Sequence, residues 1–340
     1  MAETTEKPTK QGVSRAARLS IAPMMDWTDR HCRYFHRLMS RQTLLYTEMV
    51  TAPALVRGNA RHLLRYDQAE HPVALQLGGS DPDELAEAAR MGAAEGYDEI
   101  NLNVGCPSDR VQSGTFGAVL MKTPDLVAEC CAAMRATVDV PVTVKCRIGV
   151  DDQNPSEVLP DFLAKVSDVG VTRFAIHARK AWLQGLSPKE NREVPPLDYE
   201  LVDRMKEMFP HLHISLNGGL ETLAEAQDAL GRGLDGAMLG RAAYHNPWNI
   251  LGKADAAIFG IVPPFQFPHN VAEAMEDYVG RHLSEGGRLH SITRHMLGLF
   301  AGRPGARAWR RTLSEGAAQP DADFQLIREA LAQVPRADAA

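Results

Sequence analysis

Glu99-Ile100-Asn101-Leu102-Asn103-Val104-Gly105-Cys106-Pro107-Ser108-Asp109-Arg110 carries two signals in twelve residues. Ile100, Leu102 and Val104 alternate with polar residues, which predicts a strand. Gly105 and Pro107 then stop it abruptly and place Cys106 on a stiff turn at its C-terminal end. A cysteine in a tight turn is often only packing, but here two asparagines precede it, able to hydrogen-bond a planar, amide-like ring from two directions. In a barrel of parallel strands, the carboxyl end is where chemistry is placed.

Outward from this strand the same rhythm repeats. Upstream, Leu19 to Met25 reads as a strand stopped by Pro23, Asp26 to Met39 as a helix with Thr28 as its cap, and Leu44-Leu45-Tyr46 as a second strand. Residues 52–65 have a helical pattern. Val73 to Leu77 is a third strand, and Ser80 or Asp81 caps a helix from Pro82 to about Glu95. Downstream, helices at Pro124–Val138, Pro155–Val169, Tyr199–Phe209 and Glu221–Leu230 alternate with strands at Val142–Cys146, Arg173–His177, His213–Asn217 and Asp235–Leu239. Strands separated by helices are parallel, because each needs a crossover. Eight such units in roughly 250 residues predict an α/β fold, a (β/α)8 TIM barrel. After about residue 255 strand signals stop. Pro263-Pro264 marks a linker, and residues 270–284, 288–300, 304–314 and 322–333 read as helices. The expected organisation is a loose tail over 1–17, a barrel over 18–255 and a small all-helical domain over 256–335.

Composition constrains what the chain does. Thirty-seven Lys and Arg against 43 Asp and Glu give a net charge of −6, so any nucleic-acid site must be a local patch. Cys32, Cys106, Cys130, Cys131 and Cys146 form no C-x-x-C pair and no zinc spacing, which fits a reducing, cytoplasmic setting without metal. The polar first residues do not read as a signal peptide, and no apolar run approaches the ~18 residues of a membrane span.

Polar or special residues recur at the strand ends: Pro23-Met24-Met25, Gln76, Asn101 with Asn103 and Cys106, Lys145 with Arg147, His177, Asn217-Gly218-Gly219 and Gly240-Arg241. Together they predict a polar ring around a barrel mouth. The two glycine turns follow strands seven and eight, where barrels commonly hold a phosphate on backbone N–H groups. Arg241 adds a fork of donors, and a cation such as Lys145 suits a reduced, anionic flavin. Gly231-Arg232-Gly233-Leu234-Asp235-Gly236 spells G-x-G-x-x-G, but it follows a helix and opens a strand, so it reads as a helix end rather than a dinucleotide fingerprint.

Two long loops and one basic segment remain. Residues 105–123, with Gly105, Gly114 and Gly117, suit a lid. Residues 178–197 mix Arg179, Lys180, Lys189 and Arg192 with Trp182, a combination that grips RNA. Between Arg288 and Arg311 lie six arginines and no acidic residue, and Arg303, Arg307 and Arg310 recur at helical spacing, which points to phosphate binding.

Ala22-Pro23-Met24-Met25-Asp26, the Asn101–Arg110 stretch, Val144-Lys145-Cys146-Arg147-Ile148-Gly149, His177-Ala178-Arg179-Lys180, Asn217-Gly218-Gly219 and Gly240-Arg241 together resemble the tRNA-dihydrouridine synthases. The run from His177 to Pro196 looks like their bacterial A-type subfamily. The resemblance covers about residues 18–330. It implies an FMN-bound barrel, NADPH as reductant, and D-loop uridines 20 and 20a of tRNA as substrate. It implies Cys106 as proton donor, and Pro23, Met24, Met25, Gln76, Lys145, His177, Asn217, Gly218, Gly219, Gly240 and Arg241 as FMN-binding residues. Asn103 is implied to face the tRNA near the target base, with a helical domain that grips tRNA.

The chemistry agrees. Reducing the uracil 5,6 double bond takes a hydride at C6 and a proton at C5. A free cysteine titrates near pH ~8.5, so it is an acid at neutral pH; a nucleophilic one wants an adjacent base, and the local sequence supplies none. The base must leave its stack to be reached. Two other readings stand beside this one. An FMN enzyme acting on a free pyrimidine, like the dihydroorotate or dihydropyrimidine dehydrogenases, needs no arginine-rich helical region. An RNA-binding module without chemistry needs no cysteine turn.

Overall fold

In the computed structural model, which describes residues 10–108 and 116–336, eight parallel strands close into a barrel in chain order. They are β1 (Leu19–Ile21), β2 (Leu44–Thr51), β3 (Val73–Gly78), β4 (Glu99–Val104), β5 (Val142–Arg147), β6 (Arg173–His177), β7 (His213–Asn217) and β8 (Gly236–Leu239). Every neighbouring pair is parallel, including β1 with β8, which closes the ring. The TIM barrel predicted from the alternating pattern is therefore present.

The alternation in β4 resolves into two environments. Ile100, Leu102 and Val104 are fully buried in the large apolar cluster shared with the surrounding helices. Glu99, Asn101 and Asn103 share the opposite face, since successive side chains of a strand point to opposite sides. Thr143 and Lys145 are the register partners of Asn101 and Asn103, and Arg147 is the partner of His177. The face of these strands that looks into the barrel is thus polar, and the apolar layer lies outside it.

The foot of the barrel is closed by a segment expected to be loose. Lys10–Ala16 is a helix; its Val13 and Ala16, with the following Ala17, are buried with Leu44, Tyr46, Ala74, Ala175 and Met238. The expected tail over 1–17 is corrected accordingly: apolar contacts with the barrel floor order residues 10–17, while residues 1–9 lie outside the described residues. A second correction concerns the first long helix. It is Arg30–Met39, and Asp29, not Thr28, caps it by accepting from the His31 and Cys32 N–H groups at 2.9 and 3.0 Å. Thr28 instead bonds the Met24 backbone, accepting from its N–H at 2.9 Å. Residues 52–65 split into the helix Ala52–Val56 and a 3-10 turn at Arg61–Leu64. Asp81 caps Pro82–Glu95, as expected.

The helical region also begins later than residue 255. Pro247–Phe259 is one helix, and the fully buried Asp255 within it accepts from Ser40 Oγ at 2.6 Å and from the Arg41 N–H at 2.9 Å. That helix belongs to the barrel wall. Gly260, in the left-handed region at φ 67°, ends it. Beyond the connector stand Pro268–Glu273, Glu276–Ser284, Leu289–Met296, Ala306–Gly316 and Phe324–Leu331. Trp309, fully buried, packs edge-on against Phe300 at 5.0 Å and donates to Met296 O at 3.0 Å. The region meets the barrel where Arg294 and His295 pair with Asp29 at 2.6 and 3.0 Å. Among the described residues no helix is long and apolar enough to cross a membrane.

Candidate active site at the barrel mouth

The turn that follows β4 is held from three sides. Asn103 Oδ1 accepts from the Gly105 and Cys106 N–H groups, each at 3.0 Å. Arg147 Nε donates to Gly105 O at 3.1 Å, and Ala118 N donates to Cys106 O at 2.9 Å. Among the five cysteines Cys106 is only half-buried, and the other four are buried. No described side chain bonds its Sγ. The turn therefore presents a thiol in a fixed place, with no base hydrogen-bonded to it among the described residues.

The wall beside this thiol is cationic. Lys145 has no ion-pair partner among the described residues, and burial, reinforced by Arg147, pulls it down to about 8. Arg147 is buried too; its guanidinium donates to Lys180 O at 3.1 Å and Asn191 O at 2.8 Å. His177 is held well below the usual histidine range by burial and by Arg147 and Lys145, so its ring is neutral. Its Nδ1 is buried and has no hydrogen-bond partner among the described residues. An orphaned ring nitrogen is expensive to keep unless a ligand satisfies it.

Beside His177 lies the first glycine turn. Gly218 and Gly219 take φ of 98° and 74°, a region that favours glycine. Tyr199 donates to Gly218 O at 2.7 Å, which fixes the turn. Asn217 spends its side-chain N–H on Met238 O at 2.8 Å, so it locks β7 to β8 and leaves the following backbone to face the mouth. Gly240 precedes the short helix Arg241–His245, and Met24 at the exit of β1 lies beside it. Met25, next along, is 56% exposed on the rim. The sequence places Arg241 as an anion fork, but in the structure it pairs with Glu193 of the 178–197 loop at 2.6 Å, both side chains exposed. Such a pair is weak in water and easily exchanged for a ligand anion.

Gln76 and Asn103 turn inward. Gln76 Nε2 donates to Asn101 Oδ1 and Asn103 Nδ2 donates to Gln76 Oε1, both at 2.8 Å. Asn103 is 8% exposed, and the second N–H of its amide has no partner among the described residues. Two residues were missed by sequence reasoning. Asn191, fully buried, ties the long loop together by accepting from Trp182 N at 2.7 Å and donating to Trp182 O at 2.9 Å and Leu186 O at 3.1 Å. Its only sequence signal is a lone asparagine between charged neighbours. Glu48, in the second half of β2, is half-buried, raised by that burial, and accepts from Asp26 N; its signal is a lone acid just after the apolar run Leu44-Leu45-Tyr46.

The basic residues of the loop divide. Arg179 donates to Pro195 O and braces the loop. Lys180 lies 5.4 Å over the Trp182 ring, and Lys189 and Arg192 are exposed. In the helical region Arg307 and Arg310 are exposed on Ala306–Gly316, whereas Arg303 lies before that helix, ahead of Gly305. The expected three-arginine helix face is corrected to Arg307 with Arg310, because the left-handed Gly305 starts the helix two residues after Arg303. Of the expected lid, residues 109–115 lie outside the described residues, and Gly117–Lys122 is a 3-10 helix with Ala118, Leu120 and Met121 buried. Among the described residues no group of His, Cys, Asp or Glu is arranged to hold a metal.

The family profile described as dihydrouridine synthase (Dus) matches residues 20–335. A relative from Vibrio cholerae serotype O1, tRNA-dihydrouridine(20/20a) synthase, is 58% identical over 324 residues, covering 95% of this chain and 98% of the relative. The protein of that name from Escherichia coli K12 is 57% identical over 330 residues, 97% of this chain and 95% of the relative. Among solved structures, the old yellow enzyme homologue from Zymomonas mobilis aligns with a TM-score of 0.50 at 15% identity, over 68% of this chain and 86% of that one. At that identity the likeness is one of fold.

Proposed function

The chain belongs to the dihydrouridine synthase family, and from that premise we propose that it reduces uridines 20 and 20a in the D-loop of tRNA to 5,6-dihydrouridine at the barrel mouth, using bound FMN and NADPH. The observation that carries the reading is the Cys106 turn: a half-buried thiol fixed by Asn103 and Arg147, with no described base on its sulfur.

The residues present fit a flavin. The orphaned Nδ1 of His177, the unpaired Lys145 and the Gly218–Gly219 turn supply a donor or acceptor, a cation and free backbone N–H groups on one side of the mouth. Gly240 and Arg241 complete the phosphate end, and Pro23, Met24 and Met25 form its apolar edge. Gln76 keeps one N–H and one lone pair for the ring. A flavin held by these residues would supply the hydride for uracil C6, with NADPH as its reductant.

The protein's own part is protonic and electrostatic. As C6 is reduced, negative charge develops over C5, C4 and O4. Cys106 delivers its proton to C5, and the free N–H of Asn103 steadies the uracil edge. Lys180, Lys189, Arg192 and the helical arginines hold the tRNA backbone, with Arg179 bracing the loop beneath them. Lys180, Lys189, Arg192, Arg307 and Arg310, which have no ion pair among the described residues, favour tRNA over a free pyrimidine as the substrate. The balance is uridine, NADPH and one proton giving dihydrouridine and NADP+. Solvent re-protonates the thiolate.

Cys106→Ala is the test, with the two half-reactions timed separately. Flavin content and reduction by NADPH should persist. Oxidation of the reduced flavin by tRNA should slow by roughly 10²–10⁴, the usual worth of a positioned acid. Oxidation at the wild-type rate would leave Cys106 a turn residue only.

A further inference from the structure

One continuous line of side chains joins the foot of the barrel to the cysteine turn. Arg173 and Tyr46 donate to the Glu99 carboxylate, Tyr46 at 2.7 Å, and the Thr143 hydroxyl donates to it as well. Asn101 Nδ2 donates to Thr143 Oγ1, Gln76 Nε2 to Asn101 Oδ1, and Asn103 Nδ2 to Gln76 Oε1, each at 2.8 Å. Asn103 Oδ1 receives the Gly105 and Cys106 N–H groups. Every side chain in the line is at most 8% exposed.

The direction of this line is dictated at both ends. Either end of an isolated amide side chain can face a neighbour. At the turn, two backbone N–H groups can only donate, so Asn103 must offer its oxygen. That sends its N–H to Gln76, whose N–H then goes to Asn101, whose N–H goes to Thr143. Thr143 has one proton, and it goes to Glu99, an acceptor. Were that acceptor lost, Thr143 would be free to turn its proton onto Asn101. The direction would then be held from the turn alone, leaving Asn101 able to flip and loosening the line that seats Asn103. Hydrogen bonds aligned in one sense also strengthen one another in a low-dielectric interior.

We infer that Glu99, at the foot of β4, is a positioning residue for Cys106, acting through Thr143, Asn101, Gln76 and Asn103. It touches neither substrate nor flavin. It fixes which face each amide presents, and so holds the thiol within the fraction of an ångström that a proton transfer needs. The inference rests on the reading of Cys106 as the acid.

Glu99→Gln would set an amide against the buried Arg173 and endanger the fold, so the line is best cut at Thr143. Thr143→Val removes the hydroxyl at nearly constant volume, and Thr143→Ser keeps it. In Thr143→Val, kcat for dihydrouridine formation should fall about 10–100-fold, as for a misplaced catalytic group. KM for tRNA should hold within about twofold, and Thr143→Ser should restore kcat. Alkylation of Cys106 by iodoacetamide, read from the mass of its peptide, should quicken several-fold in the Val variant alone. Added to Asn103→Ala, Thr143→Val should cost nothing further, because both cut one line. Wild-type kcat and alkylation in Thr143→Val, or additive losses in the double variant, would overturn the inference. Faster alkylation in Thr143→Val, together with normal flavin oxidation in Cys106→Ala, would uphold the positioning while refuting the acid.

Discussion

Gly219 and Gly240 look interchangeable in the sequence, yet they answer to different constraints. At Gly219 the backbone has φ 74°, and a Cβ would lie 2.5 Å from Leu197 Cδ1 and 2.7 Å from the Tyr199 hydroxyl. Any side chain there disturbs the turn whether or not a ligand binds. At Gly240 a Cβ would stand 3.6 Å from Met24 Sδ and 3.8 Å from Ala22 Cβ, ordinary contacts. Gly240→Asp is therefore the sharper probe of the phosphate site, with Gly240→Ala carrying the same backbone change. Two like charges about 4 Å apart repel by ~4 kcal/mol at an effective dielectric of ~20. FMN affinity measured by equilibrium dialysis should thus fall on the order of 10²-fold or more from Ala to Asp. Equal affinities would move the phosphate elsewhere.

At the scale of elements, the helix Ala306–Gly316 and the 178–197 loop do different work with similar residues. The loop turns part of its charge inward: Arg179 holds Pro195, and Asn191 and Arg147 bind its backbone. The helix buries Ala306, Trp309 and Leu313 and leaves Arg307, Arg310 and Arg311 in solvent, with no ion pair to them among the described residues. Cations left unpaired on one helix are free to meet phosphates. Arg307→Ala and Arg310→Ala should each lower the slope of log affinity for tRNA against log salt by up to ~0.7–0.9. A salt series on the double variant checks this, and an unchanged slope would make the helix face merely solvated.

The whole molecule carries several histidines that stay neutral inside. Burial pulls His31 and His36 down to about 3, and it holds His177 well below the ordinary range with help from Arg147 and Lys145. Unfolded, each takes a proton near pH 6.5. Below that pH the unfolded chain binds more protons than the folded one, so stability falls as pH falls. Each histidine contributes at most ~1.4 kcal/mol per pH unit, and the three together ~4. Asp29 adds to the loss only at lower pH: although burial works to raise it, His295 and Arg294 hold it well below the usual carboxylate range. Urea midpoints should therefore drop between pH 7 and pH 5. A flat profile would mean that these rings are already protonated or exposed in the fold.

The order of eight strands, the cysteine turn and the glycine turns were legible in the sequence because each is a local pattern. Alternation, a Gly-Cys-Pro run and a Gly-Gly pair declare themselves within a few residues. The helix Lys10–Ala16 was not legible, because its apolar contacts come from the barrel floor, far away in the chain. The same holds for Arg241, whose partner is 48 residues distant, and for Arg303, which a left-handed glycine separates from the helix. Local spacing likewise put the two asparagines of β4 at the site but did not say what they bond. The barrel's closure and register set Gln76 and Thr143 beside them, and the burial of every member then allows only one direction of donation. Sequence by itself determined which groups reach the mouth. Tertiary structure decided which of their atoms remain free to act, because hydrogen-bond partners are chosen by neighbours in space.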